Sequence, residues 1–203
     1  MERILFAFLL AACMPSVFAA SNTDLTVSGA IVPSACMPSL TNGGVIDHGK
    51  MTSRDLQPNM PTLLAPEELR LEVLCEGETF FTLTTLDNRA GTETINASNH
   101  GLGLTPNDEK IGSVAFTLFD PVADAKPVNV IVSRDGGISW QLSPYLGHAA
   151  QTSFAHPGVN APIALKHLSA RMRAFSLIAP ATELTLLDEI PVDGHATLQL
   201  KYL

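Results

Sequence analysis

The sequence has little positive charge. Lysine and arginine number 12 against 20 aspartates and glutamates, which gives a formal net charge of −8. The basic residues form no run, so the chain lacks the clustered cations that bind nucleic acid or an anionic membrane surface. Only 16% of the residues are charged and 46% are apolar, which is typical of a globular protein and not of a disordered one.

The sequence also lacks an apolar run of the roughly 20 residues that a transmembrane helix needs. Its longest apolar segment follows Arg3 and ends in small residues, as in a secretory signal peptide. Val17 and Ala19 suit the −3 and −1 positions of a cleavage site. We therefore expect a signal peptide over residues 1–19, export through the inner membrane to the periplasm, and no transmembrane segment in the mature chain. The alternative is a lipoprotein, because the four residues that end at Cys13 also fit the pattern before a lipidated cysteine.

Cysteine is scarce, with three in the chain. Removal of Cys13 with the signal peptide leaves Cys36 and Cys75, an even number, in an oxidising compartment, which predicts a disulfide bond. Closing a loop of about 40 residues would stabilise the fold by on the order of 4 kcal/mol, mainly by constraining the unfolded chain. Two buried free thiols are the alternative.

Short runs in which apolar and polar residues alternate predict half-buried β-strands. The clearest runs lie at residues 25–31, 69–75, 81–83, 114–118 and 196–202. Turn-forming Gly, Pro, Asn and Asp residues separate them. Residues 165–175 fit either a strand or a helix face, and their alternation favours a strand. We predict an all-β fold, a sandwich or a barrel, with residues 20–203 forming one domain.

Several short motifs follow one another in a characteristic order. A Gly29-x-Ile31 run precedes Cys36, a second cysteine ends an alternating strand, and an alternating strand with a penultimate Tyr202 closes the chain. In this order the chain resembles the subunits of chaperone–usher fimbriae. It is similar to a fimbrial-like bacterial family that is still classed as a domain of unknown function, and the likeness spans nearly the whole mature chain.

The resemblance implies an immunoglobulin-like, pilin-type β-sandwich that is incomplete and needs a donor strand. A periplasmic chaperone would lend this strand first, and a neighbouring fimbrial subunit would replace it during assembly. In such β-augmentation, main-chain hydrogen bonds supply affinity, and alternate side chains of the donor fill pockets. The implied function is that of a structural subunit of a fimbrium at the cell surface, acting in cell adhesion and not as an enzyme.

The resemblance also assigns roles to the C-terminal strand. Its alternate residues would line the acceptor groove and form the edge that the chaperone pairs with: Ala196, Leu198, Leu200 and Tyr202. The carboxylate after Leu203 would anchor the chaperone.

A second set of residues lies near the N-terminus, in the stretch that would either begin the first strand or act as a donor: Leu25, Val27, Gly29 and Ile31. The alternative interpretation is that both stretches are ordinary strands of a self-sufficient sandwich. Such a sandwich would be a self-contained periplasmic or surface binding module, with a host glycan as its candidate ligand.

Residues 133–140 match the pattern S-x-D-x-G-x-[ST]-W, called the Asp-box, which occurs on β-hairpins of sialidases and other sugar-handling proteins. Its members here are Ser133, Asp135, Gly137, Ser139 and Trp140. An aspartate followed by two glycines forms a tight turn in which the carboxylate caps backbone N–H groups. We predict a structural hairpin, and a nearby glycan site is the alternative.

No pattern of a catalytic or metal site is evident in the sequence. The six histidines have no metal-binding spacing, and no nucleophile motif is present. A glycan hydrolase would depend on scattered acids alone. We expect no catalytic residue, metal or cofactor. The tripeptide that ends at Arg89 is predicted to tie a loop through an arginine–carboxylate pair.

Overall fold

The structure is a computed structural model and describes residues 35–203. The expected signal peptide at residues 1–19 and the alternative lipid site at Cys13 lie outside the described residues. So does the N-terminal stretch that carries Leu25, Val27, Gly29 and Ile31.

Residues 35–203 form β-strands and three short 3-10 helices, with no α-helix. The strands are β1 (Cys36–Leu40), β2 (Thr62–Leu63), β3 (Glu67–Thr79), β4 (Phe81–Asp87), β5 (His100–Gly101), β6 (Gly112–Ala123), β7 (Lys126–Pro127), β8 (Asn129–Ser133), β9 (Gln141–Leu142), β10 (Tyr145–Leu146), β11 (Gln151–Ala155), β12 (Leu165–Ile178) and β13 (Ala196–Tyr202). The 3-10 helices are Thr41–Gly44, Ser53–Asp55 and Ala181–Glu183. The all-β prediction is confirmed, and the ambiguous segment at 165–175 belongs to a strand, β12.

The strands form two antiparallel sheets that pack as a sandwich. The first sheet has the order β1-β3-β12-β6-β10, with the short β2, β5 and β7 at its margins. The second has the order β13-β4-β11-β8-β9. Because successive side chains of a strand point to opposite faces, β3 and β12 bury about every second residue. In β3, for example, Leu71 and Val73 are fully buried while Glu72 between them is exposed.

The core lies between the two sheets. Leu71 of β3 and Leu118 of β6 face Leu83 of β4 and Phe154 of β11 in one cluster of buried residues. The ring of Phe154 meets that of Phe81 edge to face, with 6.2 Å between their centroids. Burying one such side chain contributes about 1.5–3 kcal/mol, so this cluster is the main source of stability.

The predicted disulfide is confirmed. Cys36 of β1 and Cys75 of β3 are directly paired in the antiparallel register, and their sulfur atoms are bonded. The bond therefore attaches β1 covalently to the neighbouring strand, and among the strands of residues 35–203 β1 is the outermost on this side of the first sheet.

The chain leaves the first sheet immediately after β1. Asn42 and Gly43 have φ angles of 53° and 61°, and Gly44 follows at 78°, so three consecutive residues are left-handed. Asparagine and glycine tolerate this region better than other residues, which is why the Asn-Gly-Gly sequence ends the strand here. Residues 45–52 then run without regular secondary structure beside β12.

Candidate functional site: a groove beside the last strand

Within residues 35–203, one side of β13 has no partner strand. Along its whole length it pairs with β4, and within residues 35–203 it has no other neighbour. β1, at the edge of the other sheet, pairs within the same residues only with β3. The backbone N–H of Cys36 donates a hydrogen bond of 3.0 Å to the hydroxyl of Tyr202, so the two edges lie on the same side of the sandwich.

The hydrogen-bond pattern shows which backbone groups of β13 are open. Asn88 N–H donates to the carbonyl of His195, and Leu203 N–H donates to the carbonyl of Phe80. In an antiparallel ladder, hydrogen-bonded and non-hydrogen-bonded positions alternate. The odd-numbered residues of β13 therefore face β4. The N–H and C=O groups that face away from β4 belong to Ala196, Leu198, Leu200 and Tyr202.

Two neighbouring cavities lie near this edge, and only the first of them is lined by residues of β13. The first has a volume of about 460 Å³ and is bordered by Leu40 of β1 and by Leu198 of β13. The second, of about 450 Å³, shares Ile46, His48 and Val192 with the first. The two neighbouring cavities are here together called the edge groove. Its size is in the range of protein ligand sites.

The walls of the edge groove are the segments at residues 43–53 and 184–195. Lys50 on the first segment forms a 3.0 Å ion pair with Glu189 on the second, and both side chains are exposed. Exposed pairs contribute about 0–1 kcal/mol, so this link is weak. His48 Nε2 lies 2.9 Å from the hydroxyl of Ser176 on β12, which attaches the first wall to the sheet.

The apolar side chains of β13 are only partly covered. Leu198 and Leu200 point toward the core but remain partly exposed, whereas Leu83, directly opposite Leu200 on β4, is fully buried. Ile46 and Ile190 on the groove walls are also apolar and partly buried. The edge groove therefore combines open backbone hydrogen-bonding groups with incompletely buried apolar side chains.

The sequence analysis assigned four residues of β13 to an acceptor groove, and the structure places them differently relative to the edge groove. Ala196 and Leu198 line the first cavity, and Leu200 packs against the core. Tyr202 lines neither cavity; its ring is half exposed and its hydroxyl holds the end of β1.

Sequence reasoning missed His100, a polar residue in the floor of the first cavity. Its side chain is buried, and Nε2 lies 2.7 Å from the hydroxyl of Thr85. Nδ1 makes no hydrogen bond of ordinary geometry. Burial lowers the pKa of His100, and the charge of the neighbouring His148 lowers it further, while Asp87 and the backbone of Val114 act in the opposite direction. The imidazole is therefore neutral near pH 7. No spacing rule marks this residue, because its partner is contributed by a strand 15 residues away.

The Asp-box forms a compact loop between β8 and β9. Ser133 donates a hydrogen bond of 2.7 Å to the carboxylate of Asp135, and its oxygen accepts one from the N–H of Gly137. Asp135 also accepts hydrogen bonds from the N–H and the hydroxyl of Ser139, and these bonds lower its pKa to about 2. The indole N–H of Trp140 donates to the carbonyl of Gly137. The polar groups of the motif are thus engaged within the loop.

Arg89 lies next to the start of β13. Its guanidinium pairs with Asp193 at 2.6 Å and also donates to the carbonyl of that residue. The N–H groups of Arg89 and Gly101 donate to the carboxylate of Asp87. The turn after β4 is therefore tied to the chain that leads into β13.

Two further acidic side chains, Glu68 and Glu109, are engaged in hydrogen bonds. Glu68 pairs with Arg171 and Arg173 across the exposed face of the first sheet, and these contacts lower its pKa. Glu109 accepts hydrogen bonds from Thr105 and Thr185, which lower its pKa as well. Residues 35–203 bring no three His, Cys, Asp or Glu side chains together as a metal site. None of the helices in this part of the chain has the length and hydropathy to cross a membrane.

Comparison with known proteins finds a family match over part of the chain and similar proteins over nearly all of it. Residues 25–100 match a family described as protein of unknown function (DUF1120). The chain is 24% identical to Protein GltF of Escherichia coli (strain K12), over 90% of this chain and 89% of GltF. It is also 24% identical to the uncharacterized protein YhcF of the same strain, over 93% of both chains. Nearly the full length of this chain is thus similar to these two proteins.

Proposed function

We propose that the protein is a secreted, non-enzymatic subunit of a fimbrium or fimbrium-like fibre, and that its edge groove accepts an extended strand from another protein. The donor is a periplasmic chaperone first and a neighbouring subunit in the assembled fibre. The observation that supports this proposal is the side of β13 that has no partner strand within residues 35–203 and that borders the first cavity through Ala196 and Leu198.

An added strand would satisfy two requirements at once. Its main chain would pair with the outward N–H and C=O groups of β13, which have no partner strand within residues 35–203. Its alternate side chains would enter the groove and cover Leu198 and Leu200, which are partly exposed. An open edge with apolar neighbours is also an aggregation hazard, so a chaperone that covers it before assembly has a physical purpose.

The chemistry of the chain supports an oxidising compartment. The Cys36–Cys75 disulfide is stable in an oxidising environment such as the periplasm and uncommon in the cytosol. Together with the expected signal peptide, it supports export to the periplasm and then to the cell surface.

Urea unfolding tests the proposal. The oxidised chain from Ala20 onward is unfolded with and without a synthetic peptide that covers residues 20–35, and Trp140 fluorescence is recorded. A ligand that binds only the folded state stabilises it by about 2.7 kcal/mol at a free concentration 100 times its Kd. We expect the peptide to raise the urea midpoint.

A matched pair of variants locates the effect. Leu198→Lys places a charge in the edge groove and should abolish the shift. Leu142→Lys places the same charge on β9, the opposite edge of the same sheet, and should leave it unchanged. An unchanged midpoint at millimolar peptide, in a chain that remains folded and monomeric, would contradict the proposal.

A further inference from the structure

The wall of the edge groove at residues 45–52 is attached to the rest of the protein by few contacts, and it is here called the strap. It contains no strand or helix. Within residues 35–203, no backbone group of residues 46–51 forms a hydrogen bond with another segment of the chain. The N–H of Gly49 donates to the carboxylate of Asp47, which lies within the strap itself. The strap is therefore held in place by its side chains.

The side-chain contacts of the strap are weak. His48 Nε2 lies 2.9 Å from the hydroxyl of Ser176 on β12. Lys50 pairs with Glu189 on the other wall, and both of these side chains are exposed. Two apolar side chains of the strap pack against the core and are only partly buried: Ile46 and Met51. A neutral hydrogen bond, an exposed ion pair and partial burial each contribute little, so the strap can separate from the sandwich while the sheets stay folded.

The strap lies between two fixed points of the chain. Before it, the hydroxyl of Thr41 accepts a hydrogen bond of 2.9 Å from the N–H of Arg70 on β3. After it, the carbonyl of Gln57 accepts a hydrogen bond from the backbone that follows β12. The left-handed turn at residues 42–44 joins the first fixed point to the strap, and a side chain added at Gly43 would meet no other atom within 4 Å. This glycine has room to change its φ and ψ angles, so the turn suits a hinge.

The strap covers part of the apolar interior. All of residues 46–52 line the second cavity, together with Ile111 and Ile178, whose side chains are buried. The other wall of this cavity is tied down on both sides of Glu189, through the hydrogen bond of Thr185 to a carboxylate and through the ion pair of Asp193. Movement of the strap away from that wall would therefore expose the buried isoleucines without breaking a β-ladder.

We infer that the strap opens as a unit about residues 42–44, and that the edge groove takes up a strand while the strap is open. The first cavity is lined by Ala196 and Leu198 of β13 and also by Ile46 and His48 of the strap. Side chains of a strand that pairs with β13 would enter this cavity and contact the strap. Closure of the strap then covers the apolar side chains that have entered. The second half of the inference rests on the proposed function, whereas the opening itself is measured without a strand.

Thiol labelling tests the opening. The variant Ile111→Cys, made in the chain from Ala20 onward, places a thiol under the strap, and the two native cysteines of that chain are bonded to each other. Leu118→Cys is the control, because Leu118 is buried in the core and lines neither cavity. Without urea, iodoacetamide should label Ile111→Cys at least about 10-fold faster than Leu118→Cys, since local opening is more frequent than global unfolding. If Ile111→Cys fails to fold, Ile178→Cys places the thiol in the same cavity.

A covalent link between the two walls assigns the labelling to the strap. A water-soluble carbodiimide activates the carboxylate of Glu189, and the amine of Lys50, 3.0 Å away, attacks it to form an amide while the carbodiimide leaves as a urea. The link should slow the labelling of Ile111→Cys at least about 10-fold and should slow the association of the peptide of residues 20–35 with the groove. Lys50→Arg keeps the positive charge but offers no amine for coupling, so the same treatment should leave both of its rates unchanged.

The outcomes separate the two proposals. If the thiol under the strap reacts no faster than the one in the core, or if the link between the walls leaves its labelling unchanged, the strap does not open and the inference is wrong. If the link slows labelling but not the association of the peptide, the strap opens without controlling entry, and the inference is again wrong while the proposed function stands. If the peptide binds neither the linked nor the unlinked protein, the proposed function fails, and the control of entry fails with it.

Discussion

The hydroxyl of Tyr202 accepts a hydrogen bond from the backbone N–H of Cys36, and this contact joins the edge strands of the two sheets. Cys36 is in turn bonded to Cys75 on the neighbouring strand. The first and last described strands thus approach each other at one end of the open side, and beyond this contact they border the edge groove.

Removal of this hydroxyl should destabilise the fold slightly. Tyr202→Phe keeps the ring and deletes one hydrogen bond, which typically contributes about 0.5–1.5 kcal/mol. We expect the free energy of unfolding to fall by that amount in urea titrations. Tyr145→Phe deletes another tyrosine hydroxyl bond, to the carbonyl of Ser98, and serves as a comparison away from β13. A loss for Tyr202→Phe well above that range would contradict the assigned role.

Removal of the disulfide should have a larger effect. The bond closes a loop of 39 residues and holds the edge strand β1. The double variant Cys36→Ala with Cys75→Ala should lower the free energy of unfolding by about 2–5 kcal/mol, because the unfolded chain regains conformational entropy. Urea unfolding measures this loss. An added reductant should reproduce it in the unaltered chain and have no effect on the double variant; equal stability of the two proteins without reductant would refute the prediction.

Two leucines on neighbouring strands should respond differently to truncation. Leu83→Ala removes a fully buried side chain and should lower the free energy of unfolding by about 2–5 kcal/mol. Leu198→Ala should cost less in the free protein, because Leu198 is only partly buried. When a groove-binding peptide is present, the loss in free energy of unfolding caused by Leu198→Ala should increase. The loss caused by Leu83→Ala should stay constant. Equal costs for the two variants without peptide would show that β13 is as well covered as β4.

The Asp-box aspartate should make stability depend on acidic pH. Its folded-state pKa is lowered from 3.8 to about 2 by hydrogen bonds from Ser139 and Ser133. The stabilisation is therefore fully present above the unfolded pKa and is lost as the pH falls through the folded pKa. The difference in free energy of unfolding between the unaltered chain and Asp135→Asn should be constant above about pH 5 and shrink below about pH 4. Urea midpoints across this range measure it, and Asp188→Asn, at an exposed position, controls for the lost charge. A difference that grows on acidification would contradict this account.

The all-β fold could be predicted from the sequence because the alternation of apolar and polar residues along a strand is a local signal. Leu71 and Val73 alternate with exposed residues, and the same pattern correctly assigned the segment that became β12. The disulfide followed from counting cysteines in an expected oxidising compartment.

The polar floor of the groove could not be predicted in this way. His100 meets Thr85 only because the sheets pack face to face, and no spacing in the sequence records that contact. Arg89 was expected to form an ion pair, but its partner Asp193 is 104 residues away. Contacts of this kind depend on topology, and periodicity carries no information about them.

Amide hydrogen exchange along β13 tests the central claim most directly. The account predicts that the amides of Thr197, Gln199 and Lys201 are protected in the free protein, because they face β4. The amides of Leu198, Leu200 and Tyr202 should exchange rapidly in the free protein and become protected when the peptide of residues 20–35 is added. If those three amides are already protected in the isolated monomer, or if they stay unprotected with saturating peptide, the edge groove does not accept a strand.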